Sequence, residues 1–365
     1  MKWRMFICAI CFLIGGCSLN IPLEDQFSDP DAITDVLSAR SLLASAYKAM
    51  PQQIFQLSVL SDDFCPSQHL NKDMSLQGLY NWREVEMTEL AGTLWAGYYA
   101  VIAEVNALLA RIDAVVTLDE TEKLEKMRIV CEAKALKSWC YFDLLRLFAP
   151  RYEGNENKDG IILKKRVELD FLPRSSVKEC VTEIRTLLNE ARNVDNTQKN
   201  VYWLSDKAVA YLQVELELYA GNYPAVLELT KDLETEYPES VLGADVYKYL
   251  WSSENSDARI FGKYQLEQIY MDIRFDTFEK GDYLVRSQNV DYEEEDIRKE
   301  WSEIPFVMPD AKNVRLLGKY NKMNRDKVAS KYVNVARAAG MWLMRVEALA
   351  RSGKEGDAVA WQIVC

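Results

Sequence analysis

The sequence predicts a mainly α-helical protein, a scaffold of tetratricopeptide-like helix pairs that carries a loop-rich, irregular insertion. Three observations lead there. Leu94 to Pro150 holds two long apolar stripes at helical spacing, residues 176–238 repeat the helix-pair layout with capping and turn residues in place, and residues 239–320 lose the period. With 365 residues, 49% of them hydrophobic, the chain can bury a sizeable core.

The N-terminus reads as an address. Lys2 and Arg4 precede an apolar run from Met5 to Ile14, and Gly15-Gly16-Cys17 follows. That run is too short to span a bilayer and has the layout of a secretory signal. Small residues directly before a cysteine fit a lipoprotein cleavage site, so residues 1–17 are expected to be signal, with Cys17 acylated by palmitate-type chains. No later segment reads as apolar enough to cross a membrane. Residues 18–30 form a tether with Pro22 and Pro30, and Ser28, Asp29 and Pro30 are expected to open a first helix over Ala32 to Met50.

Leu60 to Glu89 has no helical period and is expected to be irregular; it contains Asp62, Asp63, Pro66, His69, Asn71, Gly78, Tyr80, Asn81 and Trp82. Long irregular stretches inside a compact domain commonly carry function. The first hairpin follows. Trp95, Tyr98, Ile102, Asn106, Leu109 and Ile112 share one face of its first helix, and Ile129, Ala133, Leu136, Cys140, Leu144, Leu147 and Phe148 one face of its second, which Pro150 stops. Trp95, Trp139 and, later, Trp342 are expected in the core, and Asn106 is expected to be a satisfied amide tying helices together.

After an irregular 151–173, Ser176-Val177-Lys178-Glu179 has the spacing of a capping box and opens a helix with its stripe on Val177, Cys180, Val181, Ile184, Leu187, Leu188 and Ala191. Ser205 or Asp206 caps the next helix, Gly221-Asn222 makes the turn, and Pro224 sits where a first-turn proline is harmless. Residues 239–320 are rich in Tyr, Trp, Asp and Glu and are expected to be an insertion on top of the scaffold. The scaffold is expected to span 18–238 and to resume over 321–365, where Ala338 to Arg351, Gly353 and Asp357-Ala358-Val359-Ala360 repeat the pair.

Composition excludes some functions. A net charge of −12 without a local run of Lys and Arg argues against nucleic-acid binding. His69 is the only histidine, so a triad using histidine or a histidine-containing metal site would have to be built around that one residue; none of the metal-ligand spacings appears, and no cofactor or metal is expected. Of eight cysteines, those at 8, 11 and 17 fall in the signal, and the rest show no disulfide framework. The acidic run Asp291 to Asp296 lacks calcium-loop spacing and reads as a solvated face.

One resemblance unites these features. The lipoprotein cysteine, Leu94-Trp95-x-x-Tyr98-x-x-Ile102-x-x-x-Asn106-x-Leu108-Leu109, the run Glu132-x-Lys134-Ala135-Leu136 continuing to Tyr141-Phe142-Asp143-Leu144-Leu145-Arg146-Leu147-Phe148-Ala149-Pro150, and Leu172-Pro173-Arg174-Ser175-Ser176-Val177 resemble the SusD/RagB family. Asp296-Ile297-Arg298 resembles its Asp-Pro-Arg element, and Arg337 to Arg351 its alanine- and glutamate-rich helix, although Gly340 stands where the family usually has an acid. Against that family the chain is expected to be C-terminally truncated. The resemblance implies a cell-surface, lipid-anchored outer-membrane protein without chemistry of its own, which captures glycans and delivers them to a TonB-dependent transporter. Sugar rings present apolar C–H faces that lie on aromatic rings, with amides and charged groups for the hydroxyls. Loop aromatics are therefore the candidate ligand contacts: Tyr80, Asn81 and Trp82 before the hairpin, and Tyr283, Tyr292 and Trp301 in the insertion. Peptide capture in the same architecture, or a glycosidase using two carboxylates, are the alternatives.

Overall fold

The computed structural model describes residues 33–51, 54–61, 64–66, 74–168, 171–192, 200–251, 255–264, 283–285, 292–307, 313–317 and 332–362. The signal segment, Cys17, the tether, His69 and Asp291 lie outside the described residues.

Helix α1 (Val36–Ala49) is opened by Asp35, not by Ser28, Asp29 and Pro30, which lie outside the described residues. The Asp35 carboxylate accepts the Ser38 amide at 2.7 Å and the Ser38 hydroxyl faces back to the Asp35 amide, so two free donors of the first turn are satisfied. Helix α2 (Ile54–Leu60), strand β1 (Phe64–Pro66) and helix α3 (Met74–Tyr80) follow. The stretch expected to be irregular therefore contains short elements, too brief to show a period.

Helix α4 (Glu84–Arg111), extended by a 3-10 turn over Ile112–Ala114, and helix α5 (Glu120–Phe148) are the predicted hairpin, with α4 starting ten residues before the expected Leu94. By length and composition Glu84–Ala114 is apolar enough to cross a membrane, against expectation. Its Tyr98, Val101, Ile102 and Val105 are fully buried, as in a core helix of a globular fold, and α4 packs on α1, α3 and α5. Helix α5 also exceeds its predicted single stripe. Residues 131–133 and 135–145 are buried without a break, because α1, α4, helix α6 (Val177–Glu190) and helix α7 (Asp206–Tyr219) all touch it. Trp139 and Trp342 are buried and Trp95 is half-buried against Phe148, in keeping with their predicted core role.

Polar groups inside this core are paired. The Lys137 ammonium donates to Asn106 Oδ1 at 2.6 Å and the Asn106 amide donates to the Lys164 carbonyl at 2.9 Å, so Asn106 ties α4, α5 and the following loop as anticipated. Tyr98 donates to Asp143 at 2.7 Å, and Asp143 and Glu215 hold the two ends of the Arg146 guanidinium at 2.5 and 2.6 Å.

The Ser176–Glu179 capping box opens α6, and every residue of its predicted stripe is buried. Ser205 caps α7. Gly221 (φ +69°) turns the chain into helix α8 (Tyr223–Leu229), with Pro224 in its first turn. Short helices α9 (Leu233–Glu236) and α10 (Ala244–Leu250), the latter after a 3-10 turn over Glu239–Leu242, lead into strand β2 (Arg259–Tyr264). Strand β3 (Tyr283–Val285), helix α11 (Ile297–Ser302), strand β4 (Glu303–Val307) and strand β5 (Asn313–Leu317) complete the insertion. Strand β6 (Tyr332–Arg337) was not foreseen by the sequence; it pairs antiparallel with β2 and feeds helix α12 (Ala338–Arg351), which packs on α7, α8 and helix α13 (Glu355–Gln362). Gly340 lies against Tyr211 of α7, and a Cβ there would sit 2.6 Å from the phenol oxygen.

Candidate functional site

The residues Gln77 to Glu86 make the most unusual turn among those described. At the end of α3 the Trp82 amide donates to the Leu79 carbonyl at 3.0 Å and the Arg83 amide to the Gly78 carbonyl at 2.9 Å, the two bonds of a Schellman helix end. That motif needs a left-handed residue between helix and exit, and glycine normally supplies it. Here Trp82 does, at φ 55°, the one non-glycine with positive φ among the described residues. Asn81, which tolerates that conformation better, stays on the helical side and donates its amide to the Gln77 carbonyl at 2.8 Å. The indole gains little burial in return: Trp82 is 64% exposed.

Surrounding groups fix this turn. Arg83 pairs with Glu86 at 2.6 Å, and Gly78 leaves room for the Glu86 carboxylate, since a Cβ on Gly78 would fall 2.4 Å from its Oε1. Tyr80, half-buried, packs on the core and anchors the turn from below. An aromatic ring held in a strained conformation and turned to solvent is an outlier from which a functional hypothesis can start.

The second candidate group sits on other elements. Tyr283 is in β3, its Cα opposite Pro66 of β1; its side chain lies outside what is described. Tyr292 is half-buried, with the Arg298 guanidinium 5.6 Å from its ring centre, and Trp301 is half-buried in α11. Arg298 grips Asp296 by both carboxylate oxygens, and this pairing, above all its side-chain hydrogen bonds, holds the Asp296 carboxyl below the usual carboxylate range. Within the acidic run, residues 293–295 are exposed. Tyr247 and Ser302 hydroxyls, 2.9 Å apart, pin α11 to α10.

Sequence reasoning missed what joins the two groups. One antiparallel sheet, in the order β1-β3-β5-β4, connects them: α3, which leads to Trp82, packs on β1; Tyr283 lies in β3; and α11, with Trp301, runs directly into β4. Such pairing leaves no local trace in three-residue strands. The turn left no signal in the sequence either, since a Schellman end is normally marked by glycine at its left-handed position and Trp82 stands there. Among the described residues no group of three or more His, Cys, Asp or Glu side chains is placed to hold a metal ion.

The sequence profile described as SusD-like, "starch-binding associating with outer membrane", matches residues 23–214. No curated protein sequence matches the chain. Similar solved structures include a SusD superfamily protein from Bacteroides vulgatus (TM-score 0.74, 17% identity, covering 90% of this chain and 79% of that one). Another is a SusD-like carbohydrate-binding protein from the same organism (TM-score 0.69, 17% identity, 90% and 74% covered). A third is the NanU protein of B. fragilis (TM-score 0.66, 16% identity, 92% and 77% covered).

Proposed function

This chain belongs to the SusD-like family, and on that footing we propose that it captures glycans at the outer membrane and passes them to a TonB-dependent transporter. Lipid chains on Cys17 would hold it at the cell surface, leaving the ligand face free to meet polymer. The scaffold of residues 18–238 and 321–365 carries this face, and the insertion of 239–320 completes it through the shared sheet. The protein binds and does not cleave.

The observation that carries the reading is Trp82. A flat indole, mostly exposed, gives a surface for the C–H face of a sugar ring, and the turn behind it is fixed before ligand arrives. Asn81 beside it supplies an amide for hydroxyl groups. Tyr80 supports the turn, while Tyr283, on β3 of the same sheet, Trp301, in the helix that runs into β4, and Tyr292 just before that helix would extend the site along a polymer. Starch is the first ligand to try because the family profile describes starch binding.

Affinity electrophoresis in gels containing amylopectin, xylan, galactomannan or mucin glycans, with an oligopeptide panel measured by calorimetry, tests the reading. Retardation in at least one glycan gel is expected. Trp82→Ala should weaken it about tenfold, equivalent to ~1.4 kcal/mol. Binding to oligopeptides with no glycan retardation would move the assignment to peptide capture, and release of reducing sugar by the pure protein would end the binding-only reading.

A further inference from the structure

The scaffold itself holds a cleft that the Trp82 site does not use. At the C-terminal ends of α5, α7 and α12 lies a cavity of about 330 Å³, near the lower end of the ~300–1,000 Å³ typical of small-ligand sites. None of its lining residues belongs to the stretches that carry Trp82, Tyr283, Tyr292 or Trp301.

Its lining is specific in chemistry. Tyr152, Tyr219 and Tyr223, all half-buried, come from three different segments: the loop after α5, the end of α7 and the start of α8. The left-handed turn at Gly221 doubles the chain back and puts Tyr223 at the rim. Charges alternate and balance, with Arg146, Arg151 and Arg351 against Glu153, Glu215 and Glu347. A balanced lining does not select for a strongly charged ligand.

Four of these charged groups are held in ion pairs. Arg146 is fixed between Asp143 and Glu215 and stacks over the Phe142 ring at 4.4 Å, and Tyr98 secures Asp143 from inside the core. Arg351 pairs with Glu347 at 2.7 Å. Tyr219 donates to the Pro150 carbonyl at 3.3 Å, with the rings of Phe142 and Tyr152 5.5 and 6.3 Å away. Fixed guanidinium and carboxylate groups between phenol rings offer donors and acceptors for neighbouring hydroxyls and apolar faces for C–H groups. We propose that this cleft is a second carbohydrate subsite, on the helical scaffold, that takes one or two units of a neutral glycan. The inference rests on the glycan reading given above and adds a separate place of contact.

Hydrogen-exchange mass spectrometry of the purified chain, with and without millimolar maltotriose, cellotriose, xylotriose and mannotriose, tests it without relying on a variant. At least one of these should slow exchange at residues 150–153 and 219–224. That protection should persist in Trp82→Ala, and Tyr223→Ala and the shape-conserving Glu215→Gln should raise the sugar concentration needed for it about tenfold. Protection confined to residues 77–83 would overturn the subsite and leave the Trp82 site standing. Cleft protection that vanishes in Trp82→Ala would also overturn it, as a secondary effect of the first site. Protection nowhere, with any of the four sugars, would overturn the subsite, while the glycan gels decide the Trp82 site separately.

Discussion

At the scale of the residue, Trp82 separates a structural role from a functional one. A left-handed conformation is unfavourable for a side-chain-bearing residue by roughly 1–2 kcal/mol, and an indole 64% exposed recovers little of that by packing. Trp82→Gly should therefore raise stability, by up to ~1 kcal/mol in urea unfolding, and at the same time weaken glycan retardation about tenfold, as Trp82→Ala does. Lower stability would show that the ring packs after all. Trp82 was legible in the sequence as an aromatic in a stretch without period, whereas Tyr80 beside it is half-buried; Asn106 was legible as a paired amide. The strain at Trp82 was not legible, because which residue of a helix end turns left-handed depends on where the last helical hydrogen bond closes. Tyr292 and Trp301 were read as loop residues; the half-buried places they occupy depend on Arg298 and α11, whose positions are set by tertiary packing.

At the scale of the element, the helices were the readable part. A stripe of apolar residues every three or four positions, a Ser-x-x-Glu cap or a Gly-Asn turn acts within a few residues, so α4 to α8 and α12 followed from the sequence. Short strands do not work this way, so β1 and β6, and the pairing of the strands into sheets, did not follow from the sequence. The Gly340 position shows an element contact that the sequence registers only as an oddity. In an isolated helix, glycine to alanine gains about 1 kcal/mol. Here the added Cβ would meet the Tyr211 hydroxyl at 2.6 Å and its Cε2 at 3.1 Å, so Gly340→Ala should lower stability by ~1 kcal/mol or more by pushing α12 off α7. Removing the hydroxyl with Tyr211→Phe in the same chain should restore most of the loss. A double-mutant cycle in denaturant, with a coupling near zero as the contrary result, decides it.

At the scale of the whole molecule, buried ionisable groups shape how stability depends on pH. Burial lowers the Lys137 and Lys263 ammonium groups to about 8 from an ordinary 10.5, although Lys137 donates to Asn106 and Lys263 to the Met50 and Pro51 carbonyls. Between those values the unfolded chain holds more protons than the folded one, so stability rises with pH from about 8 upward. Burial raises the thiols of Cys140 and Cys180 above their ordinary 9.0, and the phenols of Tyr98, Tyr237 and Tyr211 above 10.0, the last to about 12. For these the unfolded chain loses protons first, so their contribution falls as pH passes those ordinary values. Urea unfolding followed by circular dichroism should show stability rising between pH 8 and 9, levelling, and dropping beyond 10. A steady fall from pH 8 would contradict it, and Lys263→Met should remove part of the rise. The sheet that unites the candidate site has a further consequence, in time. Phe64 of β1 pairs with Val285 of β3, roughly two hundred residues further along the chain, while the helix pairs join near neighbours. Closing so long a loop is entropically unfavourable until the helices have shortened it. The sheet is thus expected to close after the helix pairs during folding, so a growing chain gains its helical scaffold before β1 can meet β3.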